Sequence, residues 1–84
     1  GELLVRLDDT AVRDALLSAQ AAERAAGQAL EQAQRQLDRL QTLRASGMAS
    51  MQALEDTEAR RDAARSELAG AQARVAQARQ QLQR

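Results

Sequence analysis

Hydrophobic and polar positions alternate along this chain with a period of seven. With Leu16 taken as position a of a heptad, the a and d positions read Val12, Leu16, Ala19, Glu23, Ala26, Leu30, Ala33, Leu37 and Leu40. Glu23 alone interrupts that apolar series, so the pattern predicts a helix with a coiled-coil seam. A second series follows: Leu54, Thr57, Arg61, Ala64, Leu68, Ala71, Val75, Ala78 and Leu82. Between the two lie stop and start signals. Arg39 and Arg44 suit the negative end of a helix dipole, Gly47 suits the position just past a helix end, and Ser50 can cap the next helix. Glu55, Asp56 and Glu58 then come early in the second helix, and Arg74, Arg79 and Arg84 come late. Two helices of similar length joined by a short loop must fold back antiparallel. The expected boundaries are a first helix over about 10–46, a tip over 46–50 and a second helix over about 51–84. The first helix would then have about 35 residues and measure roughly 50–55 Å.

The N-terminus reads differently. Leu3, Val5 and Leu7 alternate with Leu4 and Arg6, and Asp8-Asp9-Thr10 ends the run. Period two predicts a short strand over residues 2–7, with Asp9 or Thr10 capping the helix that follows. Six residues do not make a sheet, so the strand's partners would lie outside this chain. The expected fold is therefore all-α: a long antiparallel two-helix coiled-coil hairpin over 9–84, preceded by a strand remnant over 1–8. The abrupt start and the absence of an initiator Met suggest a piece of a longer protein.

Composition sets how firmly such a hairpin holds. The chain has 20 Ala and 12 Gln among 84 residues, and no Phe, Trp, Tyr, Pro, Cys or His. Large residues recur at a and small ones at d, a seam that brings helices close but buries little area. At about 25 cal/mol per Å2, it offsets the cost of ordering two long helices only narrowly. The hairpin is expected to be marginal alone and to pack against copies of itself. Folding it about residue 48 places Glu23 near Arg74 and Asp38 near Arg60, two expected ion pairs.

Chemistry is sparse. Without His, Cys, Tyr or Lys the usual bases and nucleophiles are missing, so no enzyme is expected. The pairs Asp8-Asp9 and Glu55-Asp56 read as dipole partners on helices. No metal-binding cluster and no cofactor site is expected. Gly27 and Gly70 lie within helical patterns and read as sites of close packing or slight bending. Twelve Arg balance twelve Asp and Glu, which speaks against a nucleic-acid partner. No apolar run is long enough to span a membrane, and the lack of aromatics argues against a lipid-binding helix pair.

The tip has two readings. In the first, Leu40 and Leu43 close the end of the core, Arg39 serves the helix C-terminus, Gly47 turns the chain and Ser50 caps the second helix. In the second, the tip is a contact surface. Arg39-Leu40, then Leu43, then Ser50, set between matched heptad arms, closely resemble the tip signature of periplasmic adaptor (membrane fusion) proteins of Gram-negative tripartite efflux pumps. The stretch Gly1-Glu2-Leu3-Leu4-Val5-Arg6-Leu7-Asp8-Asp9 resembles the end of the family's half-lipoyl-like β segment, which leads into the hairpin.

That resemblance implies a periplasmic protein tethered to the inner membrane. Other domains would engage an inner-membrane transporter, and typically six copies would line up as a ring. The hairpin tips would dock a TolC-like outer-membrane duct. Arg39 would then supply polar contacts at the tip, Leu40 and Leu43 the apolar contact, and Ser50 a close polar one. The alternative is a generic antiparallel coiled coil for oligomerisation or spacing, with no duct partner.

Overall fold

A computed structural model describes residues 2–83, with side chains from Asp9 onward. Helix α1 runs Glu2–Ala45 and helix α2 runs Met51–Gln83. They pack along one another as an antiparallel hairpin, a rod of 69 × 14 × 13 Å. At 1.5 Å per residue the 44 residues of α1 span roughly 66 Å, so this helix alone sets the length of the rod. The 33 residues of α2 cover only about 50 Å, and the N-terminal end of α1 runs on past them.

The strand expected at residues 2–7 is not formed. Those residues continue α1, which starts at Glu2 rather than near residue 10, and Asp9 and Thr10 lie inside the helix instead of capping it. The physical reason is hydrogen bonding. A strand needs a neighbour for its N–H and C=O groups, and the described residues offer none. A helix satisfies those groups within the segment. Leu, Glu and Arg are also good helix formers, so extending an existing helix is the easier course.

The heptad seam is formed as the pattern requires. The buried residues are Ala26, Ala33 and Leu37 on α1 and Ala71, Val75 and Ala78 on α2, all of them a or d positions. Val12, Leu16, Ala19, Glu23, Leu30 and Leu40 are half-buried, as are Leu54, Thr57, Arg61, Ala64 and Leu68. Leu82, at the open end, is exposed.

Among the described residues one hydrogen bond crosses the seam and marks its register: Arg61 Nη1 donates to Gln34 Oε1 at 3.5 Å. Matching a to d positions in the register nearest that bond sets four large a residues against small d residues of the other helix. Leu30 is level with Ala64, Leu68 with Ala26, Val75 with Ala19 and Leu16 with Ala78. Large-on-small pairing in these layers suits a seam of Leu and Ala, while Leu40 and Leu54 meet as a large pair near the tip.

Arg61 shows how a charge is tolerated at an a position. Its layer partner is Ala33, which leaves room, and the guanidinium reaches the seam edge. There Nε meets Asp62 Oδ1 at 2.7 Å while Nη1 reaches Gln34. The aliphatic stem covers the seam and the charge stays wet. Thr57 Oγ1 donates to the Ala53 carbonyl at 2.8 Å, which satisfies the other polar a/d residue of α2.

The two expected cross-helix ion pairs are absent; among the described residues Arg61–Asp62 is the one ion pair. The observed register explains this. Glu23 is level with Ala71 and Gln72, while the Arg74 side chain lies back along its own helix. Arg74 Nη2 passes 3.5 Å from where a Cβ on Gly70 would sit. Asp38 instead accepts a hydrogen bond from Gln34 Nε2, one turn earlier, at 3.0 Å.

Candidate functional site: the hairpin tip

The tip is built by three reinforcing devices. Helix α1 ends in a Schellman turn: Gly47 N–H donates to the Arg44 carbonyl at 2.9 Å and Met48 N–H to the Leu43 carbonyl at 2.8 Å. Gly47 has φ of +78°, and among the described residues it is the one position in that region. A side chain there would be strained, which is why glycine ends this helix. Ser46 Oγ also donates to the Leu43 carbonyl at 2.9 Å. Across the turn, Ser50 Oγ accepts the Ala53 N–H at 3.1 Å, and the Ser50 carbonyl accepts the Leu54 N–H at 3.2 Å. Ser50 is thus the N-cap of α2. Residues 46–50 form a short turn anchored at both ends.

The structure divides the four sequence-derived tip residues into two pairs. Leu40 is half-buried on the seam, level with Leu54, and closes the core. Ser50 is exposed, but its hydroxyl is engaged as the cap. Arg39 and Leu43 are both exposed and, four residues apart, share one face of α1. The first pair serves the fold, and the second is open to a partner.

Two residues that the spacing did not single out complete the surface. Met48 is 75% exposed and Met51 is 50% exposed, beside Leu43 at 36%. Among the described residues, three of the five exposed large apolar side chains therefore fall within nine residues at one end of a long rod. The signal was present in the sequence. A five-residue turn that places Met between Gly and Ala-Ser is more apolar than a turn needs to be.

Elsewhere the surface is plain. Two open grooves flank the seam, with volumes of ≈ 590 and ≈ 430 Å3. The larger mixes Glu23 and Glu31 with Arg24 and Arg79, and its charges balance. Among the described residues no cluster of acids could hold a metal ion, and no helix is long and apolar enough to cross a membrane.

The Ser50 hydroxyl can be tested apart from any partner. Ser50→Ala should lower stability by about 1 kcal/mol, because Ala53 N–H loses its acceptor. Ser50→Asp should leave stability unchanged, since aspartate caps as well. Urea denaturation followed by circular dichroism separates them, and equal midpoints for the two variants would show that the cap does not hold α2.

Comparison with known proteins finds no match to this chain among protein-family models, curated proteins or solved structures.

Proposed function

We propose that this hairpin is the helical arm of a periplasmic adaptor subunit in a tripartite efflux or secretion system, docking a TolC-like outer-membrane duct through its tip. The observation that carries the reading is the exposed apolar surface of Leu43, Met48 and Met51 on a firmly capped turn. Large apolar residues in water at the end of a rod favour association with a second surface. Arg39 stands one turn before Leu43, and an Arg fork beside an apolar anchor is a common hot-spot arrangement. The resemblance of Arg39, Leu40, Leu43 and Ser50 to the adaptor tip supports the same reading.

In this reading six or so copies stand side by side around a conduit, and each tip makes a small contact. Repetition around a ring turns a weak individual contact into a strong collective one. The inner-membrane transporter would be engaged through other domains of the protein, in the periplasm. Arg39 and Leu43 would meet the partner, while Leu40 and Ser50 would act by holding the tip in shape. A spacer without a duct partner is the second reading; the absorption of Leu40 and Ser50 by the fold favours it.

Photo-crosslinking in the cell separates the two. A reactive side chain is placed at Ala45, which is exposed, ends α1 and takes no part in the capping hydrogen bonds. Capture of an outer-membrane duct protein by the full-length chain is the expected result. Capture of copies of the same chain alone would replace docking with the spacer reading.

A further inference from the structure

We infer that Met48 and Met51 form an oxidant-modification site that converts the tip reversibly from apolar to polar. The chain contains no Cys, His, Trp or Tyr, and only two Met. Its readily oxidised side chains therefore number two, and both stand at the tip, 75% and 50% exposed. The buried residues of the seam are Leu, Ala and Val, which two-electron oxidants leave alone. Reactivity is confined to the tip, away from the buried seam.

The reaction adds one oxygen atom to sulfur, driven by a peroxide or a hypohalous acid. With a peroxide the thioether sulfur attacks the terminal oxygen, an S–O bond forms and the O–O bond breaks. With a hypohalous acid sulfur first takes the halogen as hydroxide leaves, and water then displaces halide to form the S–O bond. In both cases the leaving hydroxide becomes water with a released proton, and in the second halide departs too. Sulfur loses two electrons and the oxidant gains them. The product is a sulfoxide, dipolar and a strong hydrogen-bond acceptor, in place of a flexible apolar group. Methionine sulfoxide reductases, drawing on a thiol reductant, reverse it, one enzyme for each sulfur epimer.

Neither Met occupies an a or d position, so the seam is untouched by the change. What changes is the tip, where Leu43 would be left as the exposed apolar residue. The consequence for docking rests on the function proposed above; the chemistry at sulfur does not.

The test treats the folded 84-residue chain with hydrogen peroxide and follows the peptide spanning 45–60, released by cleavage after Arg44 and Arg60, by fragmentation mass spectrometry. Both residues should gain one oxygen within about threefold of the rate of free methionine, Met48 ahead of Met51, with helix content unchanged. A mixture of the two reductases should restore the original mass. Rates below about a tenth of free methionine, or loss of helix on oxidation, would overturn the assignment.

In the full-length protein carrying the Ala45 crosslinker, oxidation should cut capture of the duct at least about tenfold in the wild type. Whatever its starting level of capture, the Met48→Leu/Met51→Leu variant should show no further loss when oxidant is added. Equal loss in that variant would overturn the switch. Absence of duct capture before any oxidant is added would count against docking alone, because the oxidation rates are measured independently of it.

Discussion

Leu37→Ala should unfold most of the hairpin at room temperature. Leu37 is 1% exposed and, among the described residues, is the one large side chain fully buried in a core otherwise made of four Ala and one Val. Truncating such a leucine costs about 2–5 kcal/mol, the higher values arising where neighbours cannot close the gap. The residue level with it in the facing helix is Thr57, whose hydroxyl is held by the Ala53 carbonyl, so collapse around the cavity is resisted. A chain of this length is stable by only about 4–12 kcal/mol at typical values, and a thin seam belongs at the low end. The control is Leu17→Ala, at a 64% exposed position on the same helix, where the change should stay within about 0.5 kcal/mol. Thermal and urea melts at 222 nm decide it. Similar midpoints for the two variants would mean that the stability resides outside the seam, in helix propensity or in association between copies.

Leu43→Asp in the full-length protein should abolish export while leaving the hairpin folded. Leu43 sits beside the seam and retains 36% of its surface in water, so its replacement costs the fold part of one side chain's packing and leaves the seam residues in place. A charge there places a desolvation penalty at the centre of the apolar tip, and a central hot-spot change costs about 2 kcal/mol or more for each copy. A ring repeats that loss, and the assembly fails as a unit.

Asp is also unwelcome near a helix C-terminus, by about 0.3–1 kcal/mol, which confuses a docking effect with a folding one. Leu43→Arg removes the ambiguity. It suits the dipole, yet should abolish export just as fully. Gln41→Ala changes an exposed side chain that the tip signature leaves free, and should be silent. Export and copurification of the duct are measured together with far-ultraviolet circular dichroism. Export preserved by both Leu43 variants, or lost in Gln41→Ala, would move the contact face away from Leu43.

The two experiments bear on different halves of the molecule. Leu37 and its layer partner hold the rod, and Leu43 with Arg39 and the two methionines faces outward from its end. A marginal seam and a firmly capped tip are compatible, because the caps act locally through backbone groups. Gly47, Ser46 and Ser50 satisfy the helix ends whatever the seam contributes. Residual tip structure in a weakened hairpin is therefore expected to outlast the far, open end near Leu82.

Much of the architecture follows from the order of residues alone. The seven-residue period specified both helices and their inward faces, because a side chain's direction on a helix depends only on its place in the turn. Gly47 and Ser50 located the turn to within a residue, since a left-handed backbone position and an N-cap each have few suitable side chains. What tertiary structure decided depends on the partner element. Residues 2–7 alternate like a strand yet are helical, because no neighbouring strand exists among the described residues to accept their hydrogen bonds. Glu23 and Arg74 looked paired from the fold-back point, but the register and the direction of Arg74 along its own helix keep them apart. Leu40 and Leu43 are the same residue type three positions apart, yet the hairpin covers Leu40 more fully than Leu43. Met48 and Met51 became visible as a surface only once the turn had placed both in water. Pattern gives the direction in which a side chain points along its own helix, and only packing decides what, if anything, it meets there.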